Sequence, residues 1–423
     1  MKFLSISFFL FLVVTVSAQD IYIQCGQLFD SATGTFQSNK TVVISGNVIK
    51  EIMDGHINGR EQDQTIDLKE KYVLPGLIDM HVHLEKEFGP GTYAKQFSDN
   101  EADTAFESTV YAKRTLMAGF TTVRDLGGSG VNIALRNAIN KGIVEGPRIF
   151  TSGKAIGTTG GHADPTNGLN RKLIGDPGPK DGVVNSIDDA KKAVRQRYKN
   201  GADVIKITAT GGVLSVAKSG ENPQFSTEEV EAIVRTAKDY GFSVAAHAHG
   251  DEGMYRAVIG GVNTIEHGTM MSERTMKAML NKQCYLIPTI SAGKQVAEKA
   301  KIPGFFPQVV ARKALAIGPL HEATINKAFK NKVPMGFGTD AGVFPHGKNA
   351  IEFGYLLEAG IPVDVSLRQA TFVNAKLLGM ESKLGQLKQG FLADLVAVDE
   401  NPLQNVKTLE QVVFVMKEGV TYK

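Results

Sequence analysis

Short apolar runs alternate along most of this chain with stretches whose apolar positions recur every three to four residues. The two ends depart from that rhythm. Ile21-Tyr22-Ile23, Thr41-Val42-Val43-Ile44 and Val48-Ile49 read as strands, the last two separated by the turn signal Gly46-Asn47. Leu395-Val396-Ala397-Val398 and Val412-Val413-Phe414-Val415 repeat this texture near the C-terminus. Together they predict one small β domain built from two distant segments.

Between them, runs rich in β-branched or apolar residues recur at 77–83, 121–125, 148–152, 204–208, 243–247, 264–267, 285–289 and 335–340. Most are separated by helical patterns. In one of these, Ser226 and Glu229 form a capping box, and Val230, Ile233, Val234 and Ala237 share a face. Eight such units fit a (β/α)8 TIM-type barrel better than an open, doubly wound sheet. The connections 157–179, 211–225 and 290–331 are longer than simple links and could shape or cover a site. A helix is expected near 309–330 in the last of them.

The first 18 residues have the pattern of a signal peptide: Lys2, an apolar stretch from Phe3 to Val16, and Val16-Ser17-Ala18 as a small-residue cleavage site. That stretch is shorter than the ~20 residues of a spanning helix. The expectation is an exported protein, periplasmic or secreted, with no membrane segment after cleavage. The overall composition, 42% hydrophobic and 22% charged over 423 residues, excludes a disordered chain or a coiled coil. A formal charge of +3 gives no reason to expect nucleic acid as a partner. Cys25 and Cys284 each lie in an apolar run and read as buried free thiols.

Nine histidines is an ordinary count for this length, but their placement is not ordinary. In a barrel, reactive side chains project from the C-terminal ends of strands. His81 and His83 end the first run, and alternation puts them on one face, the geometry for two ligands of one metal ion. His247 ends the fifth run, His267 the sixth and Asp340 the eighth, while Lys206 lies in the fourth. A charged lysine in an apolar strand is costly. Any one of these has a structural explanation, but all six on five strands point to a metal site.

These residues carry a resemblance. The chain resembles the metal-dependent amidohydrolase superfamily, in the imidazolonepropionase-like branch that includes prolidases and ochratoxin amidases. The resemblance rests first on Leu74-Pro75-Gly76-Leu77-Ile78-Asp79-Met80-His81-Val82-His83, then on Lys206, His247, His267 and Gly338-Thr339-Asp340 in that order. Gly390-Phe391-Leu392-Ala393-Asp394-Leu395-Val396 with Asn401-Pro402-Leu403 completes it. It implies a metallohydrolase barrel over 76–380 and a β-sandwich formed by 19–75 and 381–423. It also implies two divalent metal ions, usually zinc. One would be held by His81, His83 and Asp340 and the other by His247 and His267, with Lys206, carboxylated by carbon dioxide, bridging them. Carboxylation turns a long cationic side chain into an anionic bidentate ligand. Two cations lower the pKa of bound water, and Asp340 would carry its proton to the leaving amine. A bridging lysine favours hydrolysis of an amide or ester over the deamination performed by mononuclear relatives.

His162, in the glycine-rich stretch 157–164, and His249, two residues past His247, are candidate substrate contacts. In similar prolidases, groups at these places hold the free carboxylate of the substrate's C-terminal residue, and Tyr usually stands where this chain has His249. Alternatively, His162 caps backbone groups and His249 supports a ligand. Tyr255, His346 and Arg124 are weaker candidates. Arg124 could pair with Asp125, and His56 and His321 read as bystanders. The expected substrate is a small molecule with a free carboxylate, a dipeptide or N-acyl amino acid cleaved before its C-terminal residue, and a homo-oligomer is expected. Alternatives within enzymes are an ochratoxin-type amidase and a lactonase or esterase. Outside them stands a non-catalytic solute-binding protein, which would lack convergent metal ligands.

Overall fold

The computed structural model describes residues 19–423, so the expected signal peptide lies outside the described residues. The N-terminal segment forms β1 (Asp20–Asp30), β2 (Thr35–Ser45), β3 (Val48–Asp54) and β4 (Gln64–Pro75). The middle of the chain contributes β5 (Leu77–Val82), β6 (Phe120–Asp125), β7 (Arg148–Thr151), β8 (Ile205–Thr208), β9 (Val244–Ala248), β10 (Thr264–His267) and β11 (Tyr285–Ile287). The C-terminal segment adds β12 (Leu395–Val398), β13 (Phe414–Lys417) and β14 (Val420–Thr421).

The two ends meet in one seven-stranded sheet, ordered β14-β13-β12-β4-β1-β2-β3. Its two faces have different partners because side chains alternate along a strand. Leu395 and Ala397 join Ile23, Val42 and Phe414 in a core belonging to the sheet itself. Val396 and Val398, one step out of phase, join the main core of the molecule. Arg148 on β7 adds a polar tie, donating to Asp394 at 2.9 Å and Glu418 at 2.6 Å.

The middle strands are parallel and lie in two sheets, β5-β6-β7 and β11-β10-β9-β8. Strands β5, β6, β8, β9 and β10 are buried at every position, as parallel strands covered by helices are. The helix Thr227–Asp239 starts as its capping box predicts. Glu229 N–H donates to Ser226 Oγ at 3.3 Å, Ser226 N–H donates to Glu229 Oε2 at 2.9 Å, and Val230, Ile233 and Ala237 are buried.

The eighth expected strand, 335–340, is extended but not regular. Gly336 N–H donates to Leu286 O of β11, while Met80 N–H of β5 donates to Phe337 O, both at 3.0 Å. Asp340, in the left-handed region at φ 61°, ends the segment. At Gly338 the neighbouring chain is so close that a Cβ would lie 2.4 Å from Ile287 Cγ2. On the far margin, Ile156 N–H donates to Lys206 O at 2.8 Å. Hydrogen bonds therefore join the two parallel sheets at both margins.

The connection 290–331 holds three helices, Ile290–Ala300, Gln308–Ile317 and His321–Lys330. The single helix expected near 309–330 is divided at Gly318-Pro319, where proline has no N–H to continue the ladder. Cys25 and Cys284 are buried and free. Among the described residues, no helix is long and apolar enough to cross a membrane.

Candidate active site

His81, His83, Lys206, His247, His267 and Asp340 line a single cavity of about 670 Å³ at the C-terminal ends of the parallel strands. Asp340 Oδ1 lies 3.2 Å from His83 Nε2 and 3.6 Å from His81 Nε2, and Lys206 Nζ lies 3.4 Å from His81 Nε2. His81, His267 and Asp340 form a group whose donor atoms all lie within 4.8 Å of one another.

The far side of each imidazole is tied down, which fixes the atom it presents inward. His81 Nδ1 donates to Glu266 Oε2 at 2.8 Å and His83 Nδ1 to Gly127 O at 2.9 Å. His267 Nδ1 pairs with Thr289 Oγ1 at 2.7 Å. These three present Nε2. His247 is reversed: its Nε2 donates to Gly211 O at 3.1 Å, so Nδ1 faces the cluster. Asp340 Oδ1 is buried without a hydrogen-bond partner. An orphaned carboxylate oxygen among imidazole nitrogens held in acceptor orientation fits a divalent metal ion.

Burial dominates the electrostatics. It lowers His81 to about 4, and lowers His247 and His267 well below the usual imidazole value, so all three are neutral donors. It also lowers Lys206 to about 8. For Asp340, burial works upward, but His81, His83 and Lys206 outweigh it and hold the carboxyl at about 2.

His162 and His249 both line the cavity. The His162 ring lies 4.4 Å from that of His247, and its Nδ1 is buried without a partner. His249 Nδ1 pairs with Thr269 Oγ1 at 2.8 Å, and its ring stacks 5.0 Å from His267. Burial lowers both to about 3.

Other expectations are corrected. Arg124 pairs not with Asp125 but with Glu266, at 2.8 Å, and also donates to Met80 O and Thr264 Oγ1. Adjacent strand residues point to opposite faces, which separates Arg124 from Asp125. His321 is no bystander: it is buried, lines the cavity and donates from Nε2 to His267 O at 2.9 Å. His346 is buried and does not line the cavity, donating to Lys86 O at 3.0 Å and stacking on Tyr111. Tyr255 lies under Arg274, whose guanidinium sits 3.9 Å from the ring centroid, and does not line this cavity. His56 donates to Cys25 O in the terminal sheet. Glu266, Thr289 and Lys313 are additions that sequence reasoning missed. The signal for Glu266 was a lone carboxylate in the apolar run Thr264–His267.

The amidohydrolase family profile matches residues 72–422, and the chain belongs to that family. It is a hydrolase acting on amide bonds. Ochratoxinase of Aspergillus niger is 30% identical over 371 residues, covering 83% of this chain and 75% of that protein. A Xaa-Pro dipeptidase solved with methionine in its active site is 50% identical with a TM-score of 0.93, covering 96% of this chain and all of the other. A prolidase solved with N-methylphosphonate-L-proline is 32% identical with a TM-score of 0.87, covering 96% and 100%.

Proposed function

We propose that this protein is an exported, binuclear metal-dependent hydrolase that cleaves the amide bond before a C-terminal amino acid, in dipeptides or N-acyl amino acids. The observation that carries the reading is the inward convergence of His81, His83, Lys206, His247, His267 and Asp340, each histidine locked from behind. His81, His83 and Asp340 would hold one ion and His247 and His267 the other, with carboxylated Lys206 between them. When bound, two divalent ions, zinc in this proposal, would supply a water of lowered pKa and polarise the scissile carbonyl.

The chain's own residues do the rest. Asp340 takes the proton of the attacking water at its orphaned carboxylate and passes it to the leaving nitrogen. His162 and His249 orient the substrate by donating to its terminal carboxylate. The hydrogen bonds at both sheet margins support a closed (β/α)8 barrel over 76–380. The separate core of the terminal sheet supports a β-sandwich from 19–75 and 381–423. Export rests on residues 1–18, cleaved as a signal peptide, and assembly as a homo-oligomer belongs to the same proposal.

The structure 50% identical to this chain carries methionine, a free amino acid, in its active site, which supports a peptidase reading. An ochratoxin-type amidase is the second reading, favoured by the 30% identity to ochratoxinase. The deciding experiment measures metal content and rate for wild type and Lys206→Ala, offering Xaa-Pro, Xaa-Arg and Xaa-Phe dipeptides, N-acyl amino acids, ochratoxin and lactones. Two metals per chain and loss of both metal and rate in the variant are expected. Full metal content and undiminished rate in Lys206→Ala would overturn the bridge.

A further inference from the structure

The connection 211–225 touches the candidate ligand cluster at one end, and its residues Val213, Leu214 and Ser215 form part of the cavity wall. Gly211 O accepts from His247. Gly212 makes room for His162, because a Cβ there would lie 2.2 Å from His162 Cε1. The next two residues, Val213 and Leu214, line the cavity and pack with Val296, Ala314 and Val343 in one apolar cluster.

This wall is held from behind by two side chains outside the ligand set. Lys313 is buried, and its ammonium donates to Gly212 O at 2.7 Å, Ser215 O at 2.6 Å and Ala217 O at 2.8 Å. Those three bonds use every hydrogen an ammonium has. Tyr93 Oη donates to Leu214 O at 2.7 Å. Burying a cation is costly unless its bonds are all made, so the anchor holds only with the turn in this conformation.

Each carboxylate lining the cavity has a partner: Asp99 lies 3.8 Å from Lys95, and Asp181 accepts from Gly178 N–H at 3.2 Å. Glu85 accepts from the N–H groups of Ser129, Gly130 and Asn132, and Lys95 takes Glu107 at 2.6 Å. Glu87 accepts from His346 N–H at 3.0 Å, with Arg114 at 3.6 Å. Asp340 belongs to the histidine cluster. A cationic side chain laid against the apolar faces of Val213 and Leu214 would lose water and compete for carboxylates that already have partners.

We propose that Val213, Leu214, Val296, Ala314 and Val343 form a side-chain subsite for an apolar C-terminal residue such as leucine, methionine or phenylalanine, rejecting arginine and lysine, and that Lys313 is the positioning residue that holds it. This rests on the amide-hydrolase reading with a free carboxylate at His162 and His249. The side chain next to that carboxylate then falls on the wall that begins at Gly212.

The test measures binding of the reaction products, free L-leucine and L-arginine, to the metal-loaded protein by calorimetry, which needs no turnover. Leucine should bind about tenfold or more tightly than arginine. Equal binding, or preference for arginine, overturns the subsite. Lys313→Met should erase most of that preference and raise KM for N-acetyl-L-leucine more than it lowers kcat, with Lys313→Arg recovering part of it. A fall in melting temperature with the preference unchanged overturns the positioning role. Should Lys313→Met not fold, Tyr93→Phe, which loses only the bond to Leu214 O, should weaken the preference in the same direction, and an unchanged preference there counts equally against it. No turnover of any free-acid amide, with leucine still preferred, would overturn the hydrolase reading and leave the subsite standing. Turnover without preference would do the reverse.

Discussion

Glu266 is the residue on which the first candidate metal ligand depends. One carboxylate oxygen accepts from His81 Nδ1 and the other from Arg124, all three groups being buried. The pair of bonds sets the His81 tautomer, leaving Nε2 for the cavity. Burial raises the Glu266 carboxyl, but Arg124 and His81 more than offset that and hold it down at about 2. Glu266→Gln keeps the shape and removes the charge. It should lower metal affinity by roughly 10–100-fold, and it should lower the melting temperature because Arg124 loses its counter-ion. Metal titration with parallel thermal melts checks both. Undiminished affinity would mean that His81 is oriented by its packing alone.

At the scale of elements, the strand ends around the cavity hold their backbone against its preference. His267, Thr289 and Asp340 have φ of 73°, 54° and 61°, in the left-handed region that costs non-glycine residues about 1–2 kcal/mol each. Two of the three are candidate ligands, and the third pairs with the His267 ring. Such strain persists where the surroundings over-determine it. Glu352 supplies part of that determination, accepting from Ile290 N–H at 2.9 Å and Ser291 N–H at 2.7 Å at the start of the helix Ile290–Ala300, and from the Ser291 hydroxyl. Burial raises the Glu352 carboxyl from its ordinary 4.5 to about 7, against the pull of those donors. A raised carboxyl means that the folded state keeps a proton the unfolded chain releases. Its contribution to stability is therefore full below 4.5 and is lost as pH rises to about 7. Glu352→Gln has no such slope, so the wild type should lose melting temperature relative to the variant across that interval. A constant difference between the two would show that Glu352 does not titrate there.

At the scale of the whole molecule, the terminal sheet and the parallel strands are joined through Val396, Val398 and the tie of Arg148 to Asp394 and Glu418. Arg148→Ala leaves Asp394, nearly buried, without its cation, and should cost roughly 3–5 kcal/mol of stability. Activity at low temperature should survive, since the tie does not reach the cavity. Denaturant melts beside a rate assay separate the two effects. The succession of the first seven middle strands along the chain, the terminal β texture and the six candidate ligands were legible in the sequence alone, because alternation and apolar runs are local and a His, Lys or Asp stands out within them. The capping box at Ser226 was legible for the same reason. Local pattern carries no information about partners distant in the chain. Arg124 and Glu266 are 142 positions apart, and Lys313 and Gly212 are 101. Only the tertiary structure decided that Arg124 turns to Glu266 rather than Asp125, that His321 reaches the cavity, and that a lysine on a helix holds the wall of a pocket. The sequence by itself determined which residues could carry the chemistry. Chain packing decided which atom each presents and what stands behind it.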